Sequence, residues 1–261
     1  MIVKSANINV MIGAARKAAR GLLRDFGEVE QLQVSQKGPG DFVSAADHRV
    51  EKALRAELTK ARPDYGLLLE ESGWIEGKDP HNMWVVDPLD GTTNFLHSIP
   101  HFAISIGLVR NGEPVAGVIY QPLTDEMFWA EKGSGAFMND RRLRVSARRK
   151  MDEAVITTGI PHQGRPEPKR FLGQLEKVMN ATAGIRRFGA ATLDLAYVAA
   201  GRCEGFWEIG LKPWDIAAGM ILVREAGGYV SDFDSSANPL ESGNVVAAND
   251  HLHVPLTNLL K

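Results

Sequence analysis

The chain of 261 residues has a single cysteine, Cys203, so no intrachain disulfide can form. Its fold must rest on packing, and the composition fits a reducing compartment. No apolar run reaches membrane-spanning length. The N-terminal stretch MIVKSANINVMIGAARKAARGLL mixes charges into its apolar residues, unlike the unbroken centre of a signal peptide. An excess of one charge is also missing. The 30 Lys and Arg stand against 32 Asp and Glu, a formal net charge of −2. That balance offers no basic field to nucleic acid and no polybasic face to a membrane. A cytoplasmic protein is expected, with no membrane partner and no direct nucleic-acid binding. Internal repeats and low-complexity tracts are absent too.

What is present is a change of pattern along the chain. Met11, Ala15, Ala18, Leu22 and Phe26 recur at helical spacing, which predicts an amphipathic helix from about Asn7 to Phe26. SAADHRVEKALRAELTKARP predicts a second helix, with Ser44 as its N-cap and Pro63 past its end. Two apolar runs follow, and both stop on acids: YGLLLEE and MWVVDPLD. From Phe102 to Val145, β-rich runs around tight turns such as Asn111-Gly112 predict an antiparallel sheet. The basic run RRLRVSARRK from Arg141 reads as a solvated connection. Beyond it, strands and helices alternate as in an α/β layer. One of these helices opens at Asp215, an N-cap type, and stops at Gly227-Gly228. The expected division is an N-terminal α+β half, residues 1–146, and a C-terminal α/β half, residues 147–261, which completes the site.

The chemistry gathers at the ends of these elements. WVVDPLDGTTNF places Asp87 and Asp90 three residues apart at the end of an apolar run. Two buried carboxylates raise each other's pKa, a penalty that a divalent cation removes. Hard ions such as Mg²⁺ take oxygen ligands. Glu70, Asp87, Asp90 and Asp215 all stand at element ends, where sites of α/β layers collect. Pro88 keeps Asp87 extended, and the Leu89 carbonyl is free to face a metal. Gly91 permits close backbone approach, and Gly91-Thr92-Thr93-Asn94 starts a short helix whose free N–H groups suit a phosphate. A hard-metal cluster beside an anion-binding helix start suits phosphoryl transfer. Taken singly, Glu70-Glu71 is surface decoration, Asp215 a cap and DPLDG a turn. Their order, with apolar strands behind them, points to a site. The histidines add no metal signal, His251 and His253 read as solvated, and Cys203 reads as a packed residue. The D-x-D-x-T spacing of phosphatases with an aspartate nucleophile is not met.

WVVDPLDGTTNF, EES after an apolar run and PWDIAAG together resemble the inositol monophosphatase family of Mg²⁺-dependent, lithium-sensitive phosphatases. The resemblance runs from KGPGDFVSAAD to EAGG, and GTTNF and FWEIG are similar to the inositol monophosphatase branch. It implies an α/β fold (α+β in its first half) built as a layered α/β/α/β/α sandwich of the sugar phosphatase type, and a homodimer. It implies hydrolysis of myo-inositol monophosphate, or of another sugar or polyol phosphate, by direct attack of a metal-activated water. Two or three Mg²⁺ ions are implied. Glu70, Asp87 and the Leu89 carbonyl resemble ligands of the first ion, and Asp87, Asp90 and Asp215 those of the second, with Glu70 helping a weaker third. Catalytic roles fall on Glu70 and Thr92, which position the water, and on Asp87, which bridges two ions. Gly91 and Thr92 match phosphate-binding amides. Asp90, Ala191, Glu208 and Asp215 match positions that touch substrate hydroxyls. Lys37 and Asp47 match a mobile segment that closes over the metals. Leu69, Ala190 and Ser44 depart from residues frequent in the family, and Ala190 bears on sugar recognition. Alternatives are a phosphatase of fructose bisphosphate, histidinol phosphate or a nucleotide 3'-phosphate, or an interaction role in transcription or RNA processing.

Overall fold

The structure is a computed structural model that describes residues 3–28, 34–38, 41–161, 167–234 and 237–261. The chain opens with α1 (Ala6–Phe26), capped by Ser5, whose Oγ accepts from Ile8 N at 3.2 Å. The expected stripe is buried: Met11, Ala15, Ala18 and Leu22 all face inward. A ribbon of β1 (Val34–Gly38) and β2 (Asp41–Ser44) leads into α2 (Ala45–Ala61), with Ser44 as the predicted N-cap. Next come β3 (Tyr65–Leu69), β4 (Gly73–Ile75), β5 (Asp79–Asp90) and the short α3 (Thr92–Leu96). The expected run of strands follows as β6 (Ala103–Arg110), β7 (Glu113–Gln121), β8 (Glu126–Glu131) and β9 (Gly135–Met138).

The basic run corrects one expectation. It opens as a short edge strand, β10 (Arg141–Arg142), because Asn139-Asp140 turns the chain back on β9. Arg142 then lies over the Phe137 ring, 6.0 Å from its centre. The second half holds β11 (Val155–Thr158), α4 (Pro168–Ala181), β12 (Gly184–Arg186), α5 (Ala191–Ala199) and β13 (Gly205–Glu208). It ends with α6 (Pro213–Glu225), β14 (Tyr229–Ser231), α7 (Pro239–Ser242), β15 (Val245–Ala248) and α8 (His253–Leu260). Asp215 is not the N-cap of α6. Pro213 takes the first helical position and Lys212 the cap, so Asp215 falls in the first turn, where its Oδ2 accepts from Lys212 N at 2.7 Å.

Among the described residues the strands form two large sheets and the β1–β2 ribbon. The first runs β10-β9-β8-β7-β6-β5-β3-β4 and is antiparallel except where β3 lies parallel to β5. The second runs β12-β11-β13-β15-β14, parallel across β12, β11 and β13 and antiparallel beyond. Helices α1 and α2 cover one face of the first sheet, and α5 and α6 lie between the two sheets. Helices α4 and α8 cover the far face of the second. This is the expected α/β/α/β/α order.

Helix α6 sits unusually deep because its neighbours lack side chains. Gly107 and Gly117 pair across β6 and β7. A Cβ on Gly107 would meet Ala217 Cβ at 2.9 Å, and one on Gly117 would meet Ala218 O at 2.7 Å. On its other side, a Cβ on Gly219 would lie 2.4 Å from Leu195 of α5. Small residues at 217–219 and the glycine pair therefore set how far α6 descends. The depth of α6 fixes where Asp215 stands. By contrast, Gly13 is exposed on α1, and a Cβ there would have nothing within 4 Å.

Opposite outcomes follow for two glycine-to-alanine changes. Gly117→Ala should destabilise the fold by about 1–3 kcal/mol, through overpacking, and lower activity by shifting Asp215. Gly13→Ala should stabilise it by about 1 kcal/mol, the helix-propensity difference. Denaturant unfolding of both variants checks the pair, and a neutral Gly117→Ala would refute the close-approach argument.

Candidate active site

Residues three apart on a regular strand point to opposite faces. Asp87 and Asp90 nonetheless share a face, because β5 carries a β-bulge between them. Asp87 is opposite Ser105 and Asp90 opposite Ala103, so three steps on β5 match two on β6. Pro88 and Leu89 fill the bulge, where a missing N–H is tolerated, and Leu89 N donates to Asp87 Oδ1 at 2.9 Å. Gly91 then turns with φ 90°, a conformation that favours glycine, and a Cβ there would lie 3.0 Å from His101 O. Helix α3 begins at once, held by Phe95 against Phe26 and Phe102.

Glu70 follows β3, beside β5, and its N–H donates to Val86 O at 3.2 Å. Asp215 arrives from α6, whose start is tied to β6 by Ser105 Oγ donating to Trp214 O at 3.4 Å. Glu208 ends β13, in space left by Gly159, where a Cβ would fall 2.1 Å from its carboxylate. Glu70, Asp87, Leu89, Asp90, Gly91, Thr92, Ala191, Glu208 and Asp215 all line one cavity of about 150 Å³. Thr92 Oγ1 stands 2.9 Å from Leu89 O and 3.1 Å from Asp47 Oδ1, with one proton for the two acceptors. Asp47 Oδ2 accepts from Ser44 N at 2.8 Å and Ser44 Oγ at 2.6 Å. Asp90 Oδ2 accepts from Thr192 N at 2.7 Å and Thr192 Oγ1 at 2.5 Å.

The cavity is short of positive charge. Burial, then Glu70, Asp90 and Asp215, raise the Asp87 carboxyl well above its ordinary range. Burial lifts Asp90 to about 6, although the Thr192 hydrogen bonds pull it down. Asp47 is raised by burial against the lowering effect of Ser44. Oxygen donors with an unmet negative charge fit a hard divalent cation. Among the described residues, no group of three or more acids, histidines or cysteines is arranged as a ready ion cage.

One expected residue, Asp47, lies outside the cavity lining. Asp47 is buried in the first turn of α2, behind Thr92. Lys37 lies in β1, and its side chain falls outside the described residues, as do Pro39 and Gly40 of the same segment. Asp194 is absent from the expected set. It lines the cavity from α5, fully buried, with Oδ1 lacking a hydrogen-bond partner, and burial followed by Glu208 raises it well above the usual carboxylate range. A lone acid within the apolar run ATLDLAYVAA is its signal. Arg187 and Thr192 are also outside the expected set, and neither carries a sequence mark. Cys203 is packed as expected, its thiol pushed up to about 12 chiefly by burial. His253 is half-buried rather than solvated, its Nε2 3.1 Å from Ser231 Oγ.

The chain is similar to known proteins over most of its length. Residues 4–260 match the inositol monophosphatase family. An inositol-1-monophosphatase of Mesorhizobium japonicum is 58% identical over 260 residues, covering 100% of this chain and 98% of that protein. The Nus factor SuhB of Escherichia coli K12 is 44% identical over 242 residues, covering 93% and 91%. The crystal structure of the extragenic suppressor protein suhB from Bartonella henselae superposes with a TM-score of 0.96 at 56% identity, over 98% of this chain and 99% of that one. No described helix is long and apolar enough to cross a membrane. Matched over nearly its whole length, the chain belongs to the inositol monophosphatase family and is an enzyme of that phosphatase family.

Proposed function

We propose that this enzyme hydrolyses myo-inositol monophosphate, or a closely similar polyol phosphate, to the alcohol and inorganic phosphate. The observation that carries the reading is the gathering of Glu70, Asp87, Asp90 and Asp215 around one cavity beside the Gly91-Thr92 turn. Both proposed halves, residues 1–146 and 147–261, contribute to it. Glu70, Asp87, the Leu89 carbonyl, Asp90 and Asp215 are the groups that would hold Mg²⁺, as two or three ions. Bound there, the metal offsets the crowded negative charge and makes water a stronger nucleophile.

The protein's own groups do the rest. The Gly91 and Thr92 amides receive the phosphate at the helix start. Glu70 accepts a proton from the attacking water, and Thr92 orients that water while Asp47 and the Leu89 carbonyl fix its hydroxyl. The water oxygen bonds to phosphorus opposite the ester oxygen, whose bond breaks, and the leaving alkoxide takes up a proton from solvent. Glu208 accepts from hydroxyls of the polyol, and Asp90, Ala191 and Asp215 touch them. The family likeness supports a homodimer, and the single buried cysteine suits the cytoplasm. A second reading, an interaction role in transcription, has the 44% identity to a Nus factor in its favour. Capture of transcription proteins from the native cell would test it.

Asp87→Asn should abolish nearly all turnover. Activity within about tenfold of wild type, a barrier change of only ~1.4 kcal/mol, would end the metal assignment. Chelation should stop the reaction and lithium should inhibit it.

The metal-free protein should also respond to pH. The raised Asp87 and Asp90 carboxyls bind protons more tightly folded than unfolded. Their stabilising contribution is full below the unfolded value of about 4 and is lost as pH rises through the folded values, about 6 for Asp90. Asp87→Asn should therefore gain stability over wild type as pH rises, and saturating Mg²⁺ should close the gap. Melting curves at several pH values, with and without Mg²⁺, test this; a gap constant with pH contradicts it.

Glu208→Gln keeps the side-chain shape and removes the charge. Hydrogen bonds to charged groups are worth roughly 1.5–3 kcal/mol against about 1 for neutral ones, so KM for the polyol phosphate should rise several-fold. A small aryl phosphate should be hydrolysed almost as before. Equal losses in kcat/KM for both substrates would place Glu208 in support of the fold instead.

A further inference from the structure

Helix α2 carries two buried carboxylates one turn apart on the same face, Asp47 and Glu51. Asp47 accepts from Thr92 Oγ1 at 3.1 Å. Glu51, 3% exposed, reaches the turn that follows β3. Its Oε2 accepts from Glu71 N at 2.7 Å and its Oε1 from Ser72 Oγ at 2.5 Å. Strand β3 ends at Leu69 and β4 starts at Gly73, so Glu70 stands in a three-residue turn whose other two members are held by one side chain. Glu51 does not line the cavity.

A buried carboxylate is costly unless donors meet its lone pairs. An apolar residue could pack at this place on α2, beside buried Val50 and Leu54. The acid makes sense through what it holds. The helix is itself a firm mount: Arg49 Nη2 reaches Asp25 Oδ2 of α1 at 2.6 Å, and Ser44 and Asp47 cap its start.

We propose that Glu51 is a positioning residue, which locks the 70–72 turn so that Glu70 keeps a fixed place relative to Thr92, with one face of α2 mounting both. The proposal rests on the roles given above to Glu70 and Thr92. Loss of Glu51 leaves the Glu71 N–H and the Ser72 hydroxyl without their acceptor, and the turn relaxes. A misplacement of about 1 Å at a reacting group costs on the order of 10²-fold in rate.

The test is a kinetic cycle at saturating Mg²⁺ with an inositol monophosphate. Glu51→Ala should lower kcat by about 10- to 100-fold while KM changes little. Glu51→Gln, which retains an oxygen for one of the two donors, should lose less. In the Glu70→Gln background, Glu51→Ala should add almost no further loss, because both changes act through one group. Amide hydrogen exchange at Glu71, read without metal or substrate, should quicken in Glu51→Ala. Unchanged kcat in a folded Glu51→Ala overturns the proposal, and so do losses that multiply in the Glu70→Gln background, since those mark a merely structural role. If Glu51→Ala does not fold, Glu51→Gln and Ser72→Ala enter the same cycle. A fully active Glu70→Gln would overturn the role of Glu70 itself, an outcome separate from the behaviour of Glu51.

Discussion

Mutual repulsion among Glu70, Asp87, Asp90 and Asp215 is the constraint on which the rest of this structure turns. Left to themselves, like charges around a small cavity spread apart or take up protons. Burial first, and then that repulsion, raises the carboxyls of Asp87 and Asp90. Each acid is therefore placed by something stiff. Asp87 and Asp90 belong to a strand hydrogen-bonded on both sides. Asp90 is gripped by Thr192 from a different layer. Asp215 rides on a helix wedged between two sheets, and Glu70 follows a strand whose end is joined to β5.

The layered fold follows from the same need. Acids reach the cavity from both sheets and from the helices between them, so the site exists only when the layers are stacked. Helix α6 is the joint. It meets strands of the first sheet on one side and α5 on the other, and it does so through alanine and glycine. A bulkier helix would leave Asp215 farther out, where it would stand apart from the acids of β5. Packing density and charge placement are thus one problem here.

The sequence is legible where local signals and global architecture agree. The helix stripe of α1, the Ser44 cap, the hairpin at Asn111-Gly112 and the acids at strand ends can all be read from spacing and residue type. The order of layers comes through resemblance, because periodicity alone does not say which sheet a helix covers. The start of α6 is misplaced by a few residues when Asp215 is read as its cap, because Pro213 competes for the helix start. Asp194 and Thr192 escape such a reading because their importance lies in long-range contact, Thr192 reaching an aspartate 102 residues away. Glu51 escapes for a related reason: an acid on a helix reads as solvent-facing until the turn it serves is seen above it.

The bulge in β5 gives this strand a parity. With one extra residue between Ser105 and Ala103 in register, an odd sequence interval behaves as an even one, and both aspartates look the same way. Removing one residue from Pro88-Leu89 would restore a regular ladder with the aspartates two apart and still on one face, but it would abolish the bulge that sets Leu89 N against Asp87 Oδ1 and the Leu89 carbonyl against Thr92. Substitutions at Leu89 change a side chain; deletions there change the count. The spacing D-P-L-D is thus a measured length as much as a set of chemical groups. Any descendant of this sequence that keeps the Leu89 carbonyl at work between both aspartates must inherit the interval intact, whatever drift it permits in the strand on either side.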